Sequence, residues 1–129
     1  AVRANTRQLI REAVESGGCD FAEQIAARIP MTTISNLLGV PEQDRDYLLE
    51  QTKAALSADT EDVDEVDSEM ARNEILLYFM DMVEERRETP GDDVISMLIA
   101  SSIDGVPLSD EDIVLNCYSL IIGGDETSR

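Results

Sequence analysis

The chain has 129 residues, enough for one domain with a modest core, and 43% of them are apolar. Asp and Glu number 28 against 10 Lys and Arg, a net charge of −18. That balance excludes nucleic acid and anionic membrane surfaces as partners, because phosphate neutralisation needs clustered bases. The absence of histidine excludes Ser-His-Asp and Cys-His catalysis and His-ligated zinc within these residues.

No run of about 18 apolar residues suggests a membrane span, and no signal peptide is expected, since the first residues already have a helical pattern. Cys19 and Cys117 have no CxxC spacing, so a reducing, cytoplasmic setting is expected. The chain opens on Ala1 without an initiator methionine and stops one residue after Ser128 with no cap or turn. Both ends are therefore expected to be cut.

Val2, Leu9, Ile10, Ala13 and Val14 have helical spacing, and Gly17-Gly18 ends that helix. A short extended piece, Cys19 to Phe21, is expected next. Ile25, Ala26, Ile29, Thr33, Ile34, Leu37 and Leu38 trace a second helical face up to Gly39. Pro30 falls inside it and predicts a kink or a restart. Pro41 suits the first turn of a third helix carrying Tyr47, Leu48, Leu49, Ala55 and Leu56.

From Asp59 to Glu69 there are seven acids and no base in eleven residues. A calcium loop would need oxygens at fixed positions and a central glycine, and neither is present. The run reads as a solvated connector entering a helix, with Val63, Val66 and Met70 at helical spacing. Leu76, Phe79, Met80 and Val83 continue as a stripe to about Glu88, expected to be core or substrate-facing surface. Arg86-Arg87 near that helix's C-terminus is explained by the helix dipole.

Thr89-Pro90-Gly91 breaks the pattern. Asp93 can cap a short helix containing Val94, Ile95, Met97, Leu98 and Ile99. Ile103 to Val106 reads as a tight turn between two brief strands. The final element begins at Ser109, an N-cap followed by Asp110, Glu111 and Asp112 where the dipole favours negative charge. It then becomes apolar around most of its circumference and is expected to run through a protein interior.

One stripe of that helix differs. At about 100° per residue, Asn116, Ser119, Gly123 and Thr127 share a narrow sector. Two glycines cost a helix interior roughly 1 kcal/mol each relative to alanine, so Gly123-Gly124 marks a close approach or a bend. Glu126 and Thr127 follow as an acid and hydroxyl pair. Without further context the same residues could be a solvated helix C-terminus. The chain as a whole reads as all-α (mainly α), about six helices with at most a small hairpin, in a single segment 1–129.

Gly123-Gly124-Asp125-Glu126-Thr127-Ser128 resembles the oxygen-activation signature of the bacterial cytochrome P-450 family, the haem-thiolate monooxygenases. The context strengthens the likeness. Ile29-Pro30 with Ile34-Ser35-Asn36-Leu37-Leu38-Gly39-Val40-Pro41 resembles that family's helix E and the turn into helix F. Glu84-Glu85-Arg86-Arg87 and Pro90-Gly91-Asp92-Asp93-Val94-Ile95-Ser96-Met97-Leu98 resemble the end of helix G and helix H. Leu108-Ser109-Asp110-Glu111-Asp112-Ile113 resembles the start of helix I.

The resemblance covers the whole chain, but only the middle of such an enzyme, from about helix D to mid helix I. It implies a parent protein that activates O2 with a haem and inserts one oxygen atom into a small organic substrate, supplied with electrons by a ferredoxin- or flavin-type partner. Gly123 and Gly124 would lie over the haem, Thr127 would hydrogen-bond the dioxygen and order water, and Glu126 would relay protons. Ser119 and Ile122 would touch substrate, and the acidic connector would belong to the gate of the substrate channel.

The cysteine loop that ligates iron is not among these residues, and neither Cys19 nor Cys117 matches its context. The 129 residues alone are expected to be inactive. The other function class left open is a non-catalytic acidic helical module that binds a basic protein partner.

Overall fold

The computed structural model describes residues 2–57 and 65–126. Six α-helices and one small hairpin make up these residues: α1 (Val2–Glu15), α2 (Arg28–Leu38), α3 (Arg45–Leu56), α4 (Glu65–Glu88), α5 (Val94–Ile99), β1 (Ser102–Ile103), β2 (Val106–Pro107) and α6 (Asp110–Glu126). A π-helical turn, Ala22–Ala26, precedes α2, and a 3-10 turn, Glu42–Asp44, precedes α3. The mainly helical class expected from the sequence is the class observed.

α1 stops where its glycines predict. Gly18 N–H donates to Ala13 O and Gly17 N–H to Val14 O, both at 3.1 Å, a closing pair of bonds that satisfies the last carbonyls. Its apolar stripe is shallower than its spacing suggests: no residue of α1 is fully buried. Leu9 and Ala13 touch the fold, while Val2, Ile10 and Val14 are exposed. The extended piece expected at Cys19 to Phe21 is only partly so. Phe21 already has helical angles, φ −62° and ψ −38°, and leads straight into the π-helical turn.

That turn explains how Pro30 is accommodated. Proline has no N–H and its ring presses on the carbonyl four residues earlier, which is that of Ala26. The wide winding ends at Ala26, with Ala27 N–H bonded to Ala22 O at 3.0 Å. α2 then restarts at Arg28 with the proline in its first turn. At its far end Gly39 takes φ 74°, a left-handed conformation that glycine adopts without steric cost.

α3 and α4 pack closely, and two tyrosine bonds tie them together. Tyr47 Oη donates to Glu74 at 2.9 Å, and Tyr78, of α4, donates to Asp44 at 2.8 Å just before α3. The stripe predicted on α4 is half right. Phe79 and Val83 are buried, together with Ser68, Ala71, Ile75 and Met82. Val66, Met70 and Met80 are more than half exposed. The helix carries two apolar stripes about half a turn apart, and only the one containing Ile75 and Phe79 faces its neighbours. Of the acidic run 59–69, residues 59–64, Val63 among them, lie outside the described residues, and 65–69 are already the start of α4, the helix expected to begin within the run.

The hairpin forms as predicted, with Ile103 paired to Val106 and Ser102 to Pro107. Asp104 and Gly105 take φ 52° and 82°, the paired left-handed angles that a two-residue turn matched to strand twist requires. One core joins the helices, centred on Leu38, Leu48, Ile75, Phe79, Ile95, Ile113, Cys117 and Ile121. α6 packs against α2, α4 and α5 at its middle.

Candidate functional site

The first turn of α6 is held by a reciprocal cap. Ser109 Oγ accepts from the Asp112 backbone N–H at 3.1 Å, while Asp112 Oδ2 accepts from the Ser109 hydroxyl at 2.6 Å and from its backbone N–H at 3.3 Å. This is a capping box with aspartate in the place usually taken by glutamate. Arg87 of α4 donates from Nε to Asp110 at 2.9 Å, so the end of α4 is pinned to the start of α6.

Beyond the cap, α6 divides lengthwise. Ile113, Val114, Cys117 and Ile121 are buried, whereas Leu115, Asn116, Ser119 and Leu120 are exposed. The interior position expected for the full circumference therefore holds for one side. Among the described residues, the elements that cover α6 approach it from that side alone.

The two glycines lie on opposite sides of this division. A Cβ on Gly124 would stand 3.0 Å from Ile34 Cγ1 and 3.1 Å from Ile34 Cβ, so α2 rests directly against the helix there. A Cβ on Gly123 would meet nothing within 4 Å. Gly123 thus leaves a flat, open place on the exposed side, one turn beyond Ser119. Sequence reasoning paired the glycines; the structure separates them into a packing glycine and a clearance glycine.

The polar groups of the open side are turned inward. Asn116 Nδ2 donates to Asp112 O at 2.7 Å and Ser119 Oγ to Leu115 O at 2.9 Å. Each side chain bonds its own helix once, which leaves the Ser119 oxygen, the Asn116 Oδ1 and the second Asn116 N–H open on this side. Ile122 is half-buried and packs at the edge of the core. Asn116, Ser119 and Gly123 therefore share the open side. Thr127, the fourth member of the predicted stripe, lies outside the described residues. Glu126 closes α6, and only its backbone is described.

A second cluster was not anticipated. Asp93 caps α5, its Oδ1 accepting from Ser96 N–H at 2.8 Å. Its Oδ2 accepts from Arg86 Nε at 2.6 Å, and Arg86 Nη2 also donates to Gly39 O at 3.2 Å. Both side chains are nearly buried, at 6% and 13% exposure. Burial by itself would raise the Asp93 carboxyl; the bonds from Arg86 and Ser96 outweigh it and hold the group below the usual carboxylate range.

Arg86 and Arg87 lie in the last turn of α4, where the dipole favours them as the sequence suggested, and they also do more than that. Both are used as cross-links, Arg86 to Asp93 and Gly39, Arg87 to Asp110. The available signal was the pair of glycines. Gly39 and Gly91 both lack a side chain where Asp93 Oδ2 sits, 2.5 and 2.6 Å from the positions their Cβ atoms would take.

Cys117 is fully buried. Desolvation, aided by the negative charge of Asp93, pushes its thiol up to about 12, so it is an inert apolar group at neutral pH. Among the described residues no group of three or more His, Cys, Asp or Glu is arranged to hold a metal ion. None of their helices is long and apolar enough to cross a membrane. A polar cleft of about 250 Å³ lies elsewhere, between α1, α2 and α3, lined by Glu12, Arg28, Arg45 and Asp46 among others.

No family model matches the chain. Individual relatives do. Cytochrome P450 NovI of Streptomyces niveus is 46% identical over 121 residues, 94% of this chain and 30% of that protein. A steroid C26-monooxygenase of Mycolicibacterium smegmatis is 34% identical over 128 residues, 99% of this chain and again 30% of the relative. Among solved structures, the LnmZ cytochrome P450 hydroxylase from the leinamycin biosynthetic pathway of Streptomyces atroolivaceus superimposes with a TM-score of 0.87 at 33% identity, covering 98% of this chain and 35% of that one. The chain spans about a third of the length of the relatives it matches.

Proposed function

We propose, for a chain that is homologous along nearly its whole length to the bacterial cytochromes P450, that it is the central helical segment of a haem-dependent monooxygenase. In this reading residues 1–129 form one segment of a single domain, and α6 is the helix that crosses over the haem. The observation that carries it is the open side of α6, where a Cβ built on Gly123 would meet none of the described residues within 4 Å.

A flat prosthetic group fits such a surface. It requires a helix side with no projecting chain at its point of closest approach, apolar groups around it and no buried donor left unpaired. Ser119 and Leu120 lie within a turn of the clearance at Gly123, and the Asn116 and Ser119 side chains each already donate to the backbone of α6. Haem, if bound there, would supply the redox chemistry that activates O2.

This chain contributes clearance, contact and protons. Gly123 would let the haem approach the helix backbone without a side chain intervening. Gly124 acts from the other side, letting Ile34 seat the helix at that depth. Ser119 and Ile122 touch the organic substrate, the first offering a hydroxyl oxygen as acceptor and the second an apolar branch. The Glu126 carboxyl takes protons from solvent and passes them to water ordered at the Thr127 hydroxyl, which is acid catalysis by a positioned group. The acidic run 59–69 belongs to the gate of the substrate channel. Electrons come from a ferredoxin- or flavin-type protein docking elsewhere on the parent.

The acidic-module reading rests on net charge alone. Two of the carboxylates concerned are paired internally, Asp93 with Arg86 and Asp110 with Arg87, and the geometry gives that reading no second support.

The deciding experiment is a carbon monoxide difference spectrum of the protein whose reading frame contains these residues. A thiolate-type Soret shift on reduction is the expected result. A protein that binds no haem refutes the assignment.

A further inference from the structure

Three helices that carry α6 meet at one carboxylate. α2 ends there through the Gly39 carbonyl, α4 through Arg86, and α5 begins there with Asp93 as its cap. Each of the three packs on α6. Asp93 Oδ2 occupies the space that side chains on Gly39 and Gly91 would need, 2.5 and 2.6 Å from their Cβ positions. The junction therefore closes only with glycine on both sides and a two-carbon acid between them. A longer acid or a residue with a Cβ would force it apart.

The junction has two routes to the oxygen-activation turn. Ile34, which touches Gly124, lies five residues before Gly39, the residue that ends α2, about 7.5 Å along the helix axis. Moving Gly39 moves Ile34 with it. The second route is direct, since Ile95, two residues after Asp93, shares the fully buried core with Cys117 of α6. Cys117 precedes Gly124 by seven residues, two helical turns.

We infer that Asp93, held by Arg86, is a positioning residue that sets the depth of α6 through α2. This rests on the reading of α6 as the helix over the haem. In that reading the clasp fixes how close Gly123 comes to the haem plane, although neither Asp93 nor Arg86 touches haem or substrate. Arg86 does this with two separate donors, Nε to the carboxylate and Nη2 to the Gly39 carbonyl, a fork that a lysine ammonium does not reproduce.

The test is a double-mutant cycle between the clasp and the seat, read by urea unfolding of the full-length protein. G124A drives a methyl group into Ile34. If Asp93 sets the position of α2, then D93N releases the helix and the clash is relieved. The factor by which G124A lowers the folding equilibrium constant is then at least about threefold smaller in the D93N background, the size of effect that coupled sites show. R86K is the second variant should D93N not fold, because it keeps a positive charge at the carboxylate and removes the hold on Gly39. It is expected to reduce the G124A factor in the same way.

Equal G124A factors in both backgrounds overturn the inference. In the haem-loaded protein, D93N is also expected to raise the share of consumed O2 released as peroxide while the thiolate-type Soret band is retained. A normal Soret band with unchanged coupling overturns it as well. Absence of that band in the unmutated protein refutes the haem reading instead, and the unfolding cycle still decides whether Asp93 positions α6.

Discussion

Adjacent glycines in one helix invite a single explanation, and the structure predicts that they respond oppositely to the same substitution. Replacing either by alanine gains helix propensity, about 1 kcal/mol. At Gly123 the added methyl meets nothing within 4 Å, so Gly123→Ala should stabilise the fold by up to that amount. At Gly124 the methyl would lie 3.0 Å from Ile34 Cγ1, 3.1 Å from its Cβ and 3.3 Å from Cδ1.

The Ile34 Cβ is fixed to the backbone of α2, and its β-branch is stiff, so rotating the side chain cannot remove the contact. Overpacking of this kind costs roughly 1–3 kcal/mol, and after subtracting the propensity gain Gly124→Ala should destabilise by up to about 2 kcal/mol. Urea unfolding of the full-length protein, followed by circular dichroism, measures both. A Gly124→Ala variant as stable as Gly123→Ala would show that α2 does not seat α6 at that turn. In the haem-loaded protein the ranking should reverse for function, with Gly123→Ala the more damaging to haem binding, because its methyl enters the clearance.

Asp93 is held below the usual carboxylate range in the folded state. Its contribution to stability is therefore complete at neutral pH and is lost as pH falls from the ordinary value, about 3.9, through the depressed one. Asp93→Asn should flatten that limb of the stability–pH curve and cost about 3 kcal/mol at neutral pH, since it leaves the nearly buried Arg86 without its counter-charge. The raised thiol of Cys117 has the opposite sign. Stability should decline as pH rises above about 8.5, where the unfolded thiol ionises and the folded one does not; Cys117→Ala should remove the part of the decline below about pH 10, above which Tyr78, raised by burial and by Asp44, adds its own. Labelling with a thiol reagent at neutral pH should modify the half-buried Cys19 well before Cys117. Thr127→Ala in the haem-loaded protein should raise peroxide release per O2 consumed, and unchanged coupling would remove Thr127 from proton delivery.

Much of this fold is determined by short-range chemistry that the sequence displays directly. Ser109 with three following acids caps α6, Asp93 caps α5, Gly39 ends α2, and Asp104-Gly105 turns the hairpin, because each depends on residues within one turn of itself. The helical class follows for the same reason. So does the small-residue stripe Asn116, Ser119 and Gly123, since helical periodicity alone puts those residues on one side. Periodicity does not say which stripe faces the core when a helix carries two. On α4, Ile75 and Phe79 are buried while Met70 and Met80 are exposed, a choice made by α3 and α6 and written in neither stripe. The same limit applies to Gly123 and Gly124, which are alike as residues and opposite in role. Only the arrival of Ile34 from a helix some ninety residues earlier in the chain distinguishes them. The clasp of Asp93, Arg86 and Gly39 is likewise a tertiary product: a buried ion pair is retained where three chain segments converge to exclude water, and that convergence is a property of the packed fold.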